Sequence, residues 1–285
     1  MTFQRILFPI DFSIPCSQIA PCVAAMQQVM GASLALLHSI DFDRPWFMQD
    51  STSQWPDLET LRKATGERLR AFAATHFAGT QADLVQDTGE PAGAISRCVE
   101  ARRIDLVMMP THGYGGFRRA LLGSVTTKVL HDVNCAVWTA SHTEAARNAA
   151  VKNVLCGIED PESSAPLLRS AAGIAEKLGA TLSIVHAYPD FAGTPAERYE
   201  RRLPRPAEAN IRRKLDALQM PAGTSAPVIV ARGEVNDVIA ETARRRDADL
   251  VIVGRGSFGG FLVNIRSHLY YIIRSSPCPV LVVPE

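Results

Sequence analysis

The chain has 285 residues, of which 47% are hydrophobic and 21% charged, and its formal net charge is +1. That length favours two domains, and the composition is that of an ordinary globular protein. A charge so near zero excludes a global electrostatic footprint for nucleic acid or an anionic membrane, and no apolar run approaches the about eighteen residues that a membrane span needs.

The opening MTFQRILFPIDF is broken by Asp11 before a signal-type apolar region develops, so a cytoplasmic location is expected. The first strand is predicted over Ile6 to Ile10. Ile19, Val23, Met26 and Met30 then recur at helical spacing, and Ser33 to His38 reads as a second strand. Leu58, Leu61, Leu69 and Phe72 mark a second helix, and Ala82 to Thr88 a third strand. Pro91 can open a third helix, because the first turn of a helix does not use the missing N–H. Leu106 to Pro110 and Ala136 to Thr139 complete five strands, with a fourth helix over Val125 to Asp132 between them. The runs are continuous rather than alternating, as in parallel strands buried on both faces. The expected fold is therefore a doubly wound α/β domain with a five-stranded parallel sheet flanked by helices.

The pattern occurs twice. RILFPIDFS (Arg5 to Ser13) matches NVLCGIEDP (Asn153 to Pro161), and GASLALLHSID (Gly31 to Asp41) matches GATLSIVHAYP (Gly179 to Pro189). DTGEPAGAI (Asp87 to Ile95) matches ARGEVNDVI (Ala231 to Ile239), and IDLVMMPTHG (Ile104 to Gly113) matches ADLVIVGRGS (Ala248 to Ser257). NCAVWTA (Asn134 to Ala140) matches PCPVLVV (Pro277 to Val283), so the offset stays between 143 and 148 residues throughout. That spacing fits a duplicated domain rather than a solenoid. We assign one domain to residues 1–143, a polar, alanine-rich linker to 144–152, and a second domain to 153–285. The terminal strands, Ala136 to Thr139 and Pro279 to Val283, would otherwise be bare edges. Packing of the two domains on each other through these strands, related by a pseudo-twofold, would cover them.

Open α/β sheets bind ligands beyond the carboxyl ends of their strands. In the first copy these ends carry Asp11, His38-Ser39-Ile40-Asp41, Gly89-Glu90, and the stretch MMPTHGYGGFRRALLGSV (Met108 to Val125). Gly113, Gly115 and Gly116 allow close backbone approach, and Ser124 is a candidate N-cap. The N–H groups of Val125 and Thr126 would then favour a phosphate. Asp11 offers two acceptor oxygens to sugar hydroxyls or an exocyclic amine. Taken alone, the glycines read more readily as ordinary loop punctuation than as a phosphate site, and neither a dinucleotide fingerprint nor a P-loop is present. His38, repeated as His186, is either a hydrogen-bonded structural histidine or a ligand contact. The six cysteines (Cys16, Cys22, Cys98, Cys135, Cys156, Cys278) form no C-x-x-C pair and read as buried thiols rather than disulfides or a zinc site.

The chain resembles the universal stress proteins in their tandem two-domain form. Nucleotide-binding members of that family carry Gly-x-x-Gly, nine residues, then Gly-Ser or Gly-Thr, together with an acidic residue ending the first strand. Here Pro110-Thr111-His112-Gly113 is followed by nine residues, Tyr114 to Leu122, and then Gly123-Ser124, with Asp11 as the acid. The resemblance implies an adenine nucleotide α-hydrolase-like fold and a regulatory ATP, with Mg²⁺, in the first domain. Asp11 and the chain near Ser39 would hold adenosine, Met109 and Pro110 would line it, and His112, Gly113, Gly123, Ser124, Val125 and Thr126 would meet the phosphates. Pro110 replaces the first glycine, which fixes φ and removes one N–H. The family's dimers also use the last strand, so a homodimer is compatible with the pattern.

The second copy departs further. Its loop reads Gly254-Arg255-Gly256-Ser257, eight residues, then Arg266-Ser267, and Asp11 is matched by Glu159. Arg266 either blocks the site or grips a phosphate through its guanidinium; occlusion and weak or absent binding are the expectation. The arginine-rich run ERYERRLPRPAEANIRRK (Glu197 to Lys214) alternates with glutamates and reads as a solvated helix or loop. Trp46, Phe47 and Trp55 would form a lid or an apolar contact under a long connection. No nucleophile–base pair or paired carboxylate marks an enzyme, and Glu90 with Asp41 is a weak candidate for Mg²⁺. A nucleotide-independent interaction module and a slow ATP hydrolase are the alternatives.

Overall fold

The computed structural model describes residues 2–41, 57–113, 122–140, 150–188, 205–255 and 265–284. The tryptophan-bearing connection, Gly115 and Gly116, and most of the expected linker lie outside these residues. The chain divides into two compact units, one chiefly Phe3–Val137 and the other chiefly Ala150–Glu285.

In the first copy of the repeat the elements are β1 (Arg5–Pro9), α1 (Ile14–Met30), β2 (Ser33–Ile40), α2 (Leu58–His76), β3 (Ala82–Thr88), α3 (Pro91–Arg102), β4 (Leu106–Pro110), α4 (Ser124–Asp132) and β5 (Ala136–Ala140). The strand order is β3-β2-β1-β4-β5, with β1 parallel to β2 and β4, and β2 parallel to β3. The order reverses at β1, so β1 and β4 diverge to opposite sides of the connection and leave a crevice at their carboxyl ends. Helices α1 and α2 pack together, as do α3 and α4, flanking the sheet.

Local sequence explains the elements. Ile6, Leu7 and Phe8 are completely buried in β1, and each contributes about 1.5–3 kcal/mol by leaving water. In α1, Ile19, Val23, Met26 and Met30 form the buried stripe. The Ser13 hydroxyl accepts the Cys16 N–H at 3.3 Å to cap the helix, and Gly31 ends it at φ 65°. The expectation that every strand is buried on both faces fails at β3, an edge strand that leaves Leu84 41% exposed. All six cysteines are buried thiols.

The second unit repeats the plan with β6 (Asn153–Gly157), α5 (Ala165–Leu178), β7 (Thr181–Tyr188), α6 (Arg205–Ala222), β8 (Val228–Arg232), α7 (Val235–Arg245), β9 (Leu250–Gly254), α8 (Ile265–Ser275) and β10 (Val280–Val283). Its order is β8-β7-β6-β9-β10. Arg5 pairs with Ser33 in β1–β2, and Asn153 with Thr181 in β6–β7, which fixes Glu159 as the counterpart of Asp11. The arginine-rich run enters α6 as a surface helix, where Arg212 pairs with Glu208 at 3.0 Å one turn away. Among the described residues no helix is long and apolar enough to cross a membrane.

Both units share a clip at the amino end of the sheet. Asp105, just before β4, accepts the Gln4 and Arg5 N–H groups at 2.8 and 3.0 Å. Asp249, just before β9, accepts those of Lys152 and Asn153 at 2.8 and 3.0 Å. A carboxylate replaces the neighbouring strand as the partner of these leading N–H groups, so each central strand starts in register. Substituting Asp105→Ala should lower the stability of the first unit by about 1–2 kcal/mol, a discounted value for charge-assisted bonds that remain partly solvated. Urea unfolding followed by a probe in that unit would measure it.

Candidate functional site

The carboxyl ends of β1 and β4 carry the predicted residues, and packing draws them together. Asp11 follows β1 and accepts the Ser13 N–H through Oδ1 at 2.9 Å. Its other oxygen lies against the backbone of Gly113, so close that a Cβ there would collide with Asp11 Oδ2. A side chain at 113 would push the Asp11 carboxylate out of this position.

A second closure lies at the far end of the loop. The Gly123 N–H donates to the Thr111 carbonyl at 2.8 Å, and the Thr126 hydroxyl donates to the Pro110 carbonyl at 3.2 Å. A Cβ on Gly123 would meet the Thr111 oxygen at 3.1 Å, tighter than most real contacts. Thr111 and Thr126 are buried, so these bonds are shielded from water. The two ends of the loop between β4 and α4 are thus pinned to each other.

One expectation needs correction. Ser124 is not the N-cap of α4; Gly123 is, with φ −60° and ψ 145°, and no side chain caps the helix. The Gly123 carbonyl already accepts the Thr127 N–H at 2.9 Å, which starts the helix one residue earlier. The turn closed by Thr111 sets that carbonyl, and its tight space favours glycine over serine. Ser124, Val125 and Thr126 consequently occupy the first helical turn, whose N–H groups have no intrahelical acceptor. Ser124 is exposed and Val125 half-buried, at the positive end of the helix dipole.

The remaining predicted residues divide in their roles. Met109 and Pro110 are buried as the last residues of β4. The Ser39 hydroxyl donates to the Gly89 carbonyl at 2.7 Å, which ties the end of β2 to the turn before α3. Thr111 Oγ1 and His112 Nδ1 share a hydrogen bond of 2.9 Å, while the enclosed His112 Nε2 has no protein partner. An orphaned ring nitrogen beside an uncapped helix and a glycine cradle fits a polar ligand. Glu90 is engaged by Lys128 at 2.7 Å, an exposed pair, which weakens it as a candidate for Mg²⁺. Among the described residues no group of three or more His, Cys, Asp or Glu is placed to hold a metal ion.

His38 resolves into its structural role. Its Nδ1 bonds the Ile10 carbonyl at 2.7 Å, and His186 repeats this with Ile158 at 2.9 Å. The residue that sequence reasoning missed is Phe12. It has φ 61°, a left-handed conformation that costs about 1–2 kcal/mol for a residue with a Cβ. Nothing in its propensity signals this, although its position directly after a functional strand end is where strain concentrates.

The second unit lacks the same set. Arg266, the counterpart of Gly123, lies inside the first turn of α8, which begins at Ile265 rather than at the counterpart of Ser124. Glu159 and the following Asp160 are both exposed, and Asp160 accepts the Glu162 N–H at 3.0 Å and the Ser163 hydroxyl at 2.8 Å.

Comparison with known proteins agrees with this geometry. The model of the universal stress protein family matches twice, over residues 2–140 and 150–284. The chain belongs to the universal stress protein family. A universal stress protein of Thermus aquaticus is 30% identical over 135 residues, covering 47% of this chain and 96% of that protein. One from Methanocaldococcus jannaschii is 24% identical over 139 residues, covering 47% and 80%. Each relative spans a single copy of the repeat, so the tandem family assignment rests on both halves. Among solved structures, a universal stress protein from Archaeoglobus fulgidus aligns over 98% of both chains with a TM-score of 0.74 and 20% identity. A functionally unknown protein from Pseudomonas aeruginosa aligns over 99% of this chain and 92% of its own with a TM-score of 0.66 and 18% identity. These two likenesses establish the tandem fold of this universal stress protein and leave its ligand to chemistry.

The site's electrostatics give a pH signature. Burial lowers the His38 pKa from 6.5, reinforced by Arg68 and opposed by the bond to Ile10 and by Asp11. Partial burial lowers that of His76 as well. A depressed native pKa means that the unfolded state binds more protons, so stability is full above the ordinary histidine value and falls as pH drops below about 6.5. Replacing His38→Asn, which keeps a donor for Ile10, should remove part of that slope in unfolding measured from pH 7.5 to 5.

Proposed function

We propose that the chain binds an adenine nucleotide in its first domain, with ATP as a regulatory ligand in stress response rather than a substrate to be turned over. The observation that carries the reading is the double closure of the loop between β4 and α4. Gly113 lies against the Asp11 carboxylate, Gly123 is bonded to Thr111, and α4 opens uncapped beside them. An anion-accepting helix start next to a carboxylate that can take sugar hydroxyls suits one ligand with a phosphate chain at one end and a nucleoside at the other. In this reading Asp11 and the chain at Ser39 hold adenosine, with Met109 and Pro110 beneath it. His112, Gly113, Gly123, Ser124, Val125 and Thr126 face the phosphates. Mg²⁺ arrives with the nucleotide as a neutraliser of phosphate charge, without a dedicated protein cage.

The same reading makes the second domain, residues 153–285, a degenerate copy that binds weakly or not at all. Helix α8 starts earlier and carries Arg266 where the first domain has its glycine cap. Six buried thiols suit a reducing compartment, in keeping with a cytoplasmic protein.

Calorimetric titration of the full chain with Mg-ATP tests the proposal. We expect saturable binding of about one nucleotide per chain. Asp11→Ala and Gly123→Arg should each weaken it by tenfold or more, a loss of about 1.4 kcal/mol or greater. The second substitution rebuilds the second domain's residue in the first. Circular dichroism melts would confirm that the variants remain folded. No heat and no saturable signal from the wild-type chain would overturn the reading and favour an interaction module that works without nucleotide.

A further inference from the structure

We infer that Phe12 is a positioning residue for Asp11, anchoring the turn that presents the carboxylate to the site. The turn has little length in which to work. Asp11 ends the β1 side, Ser13 caps α1, and Phe12 alone lies between them with φ 61°. Its left-handed backbone lets the Asp11 carboxylate reach forward to the Ser13 N–H while the other oxygen meets Gly113.

Glycine would adopt that φ without cost, so the phenylalanine ring must provide something that glycine cannot. The ring packs 4.6 Å from the His38 ring, tilted by 45°. The Arg68 guanidinium lies 4.3 Å from its centroid, within cation–π range, and Phe72 meets it edge-on at 6.2 Å. His38 is itself fixed to Ile10, the residue before Asp11. The ring is thereby fastened to β2 and to α2 together, and the turn cannot rotate without breaking those contacts.

The duplicate provides an internal comparison. By strand register the counterpart of Phe12 is Asp160, which among the described residues has no left-handed backbone. There the carboxylate of Asp160 holds its own turn through Glu162 and Ser163. One copy anchors the turn with a ring and leaves its acid beside the glycine cradle. In the other, the acid that holds the turn lies one position later, at Asp160.

The consequence for ligand affinity rests on the nucleotide reading, whereas the positioning does not, and the experiment separates them. Amide hydrogen exchange at Ser13 in the ligand-free chain reads the Asp11 bond directly. Phe12→Gly keeps the backbone conformation accessible and removes the anchor; it should speed Ser13 exchange by about tenfold or more while Leu7 and Leu36 keep their protection. Phe12→Tyr should restore wild-type protection, and Arg68→Ala should give an intermediate effect. Unchanged Ser13 exchange in Phe12→Gly overturns the inference.

In ATP titrations Phe12→Gly should weaken binding by about tenfold, yet add little in an Asp11→Asn background, because both changes remove one effect. A full additive loss in that background would assign Phe12 a role independent of Asp11 and also overturn the inference. If the wild-type chain binds no ATP, the nucleotide reading falls and Ser13 exchange alone decides for or against Phe12.

Discussion

The Asp11 carboxylate sits against the Gly113 backbone at the point where two diverging connections leave the paired strands β1 and β4. In a parallel sheet the strand interiors are committed to core packing, and β1 and β4 have little but their carboxyl ends to give to function. The chain leaves β1 toward α1 and β4 toward α4, so the ends would separate without a local reason to stay close. The β1–β4 ladder supplies that reason, and a residue without a side chain at 113 leaves room for the acid between the two ends. The bond from Gly123 to Thr111 then closes the following loop, and the bare start of α4 falls beside the acid.

Much of the fold was legible because its signals were strong. Continuous apolar runs and helical spacing place the five strands of the first copy close to their observed bounds, and an offset that hardly varies carries the plan to the second copy. The failures have physical causes. Ser124 has the better capping side chain, but capping propensity could not register that the Thr111 carbonyl leaves no comfortable space for a Cβ one residue earlier. β3 is grouped with the buried strands although ADLVQDT carries two aspartates and a glutamine, and its place at the end of the order exposes Leu84. Phe12 was invisible, since a left-handed phenylalanine depends on contacts from α2 and β2 that sequence spacing does not reveal.

The duplication separates scaffold from site. The aspartate clips, the buried histidines and the glycine helix ends at Gly31 and Gly179 recur with nearly the same geometry. At the carboxyl ends the copies differ in chemistry: Gly123 is matched by Arg266, Asp11 by Glu159 and Phe12 by Asp160. Both halves keep the same scaffold contacts, whereas these rim positions exchange one kind of chemistry for another.

The clips also bear on how the chain emerges from a ribosome. Asp105 reaches back 101 residues to Gln4, and Asp249 reaches back 97 to Lys152. At a synthesis rate of about 5–20 residues per second, the central strand of each domain waits about 5–20 s for the carboxylate that sets its register. During that interval β1 can pair with β2 but lacks its other neighbour. Each half must therefore be almost fully translated before its sheet can close, and the first can finish while the second is still being made.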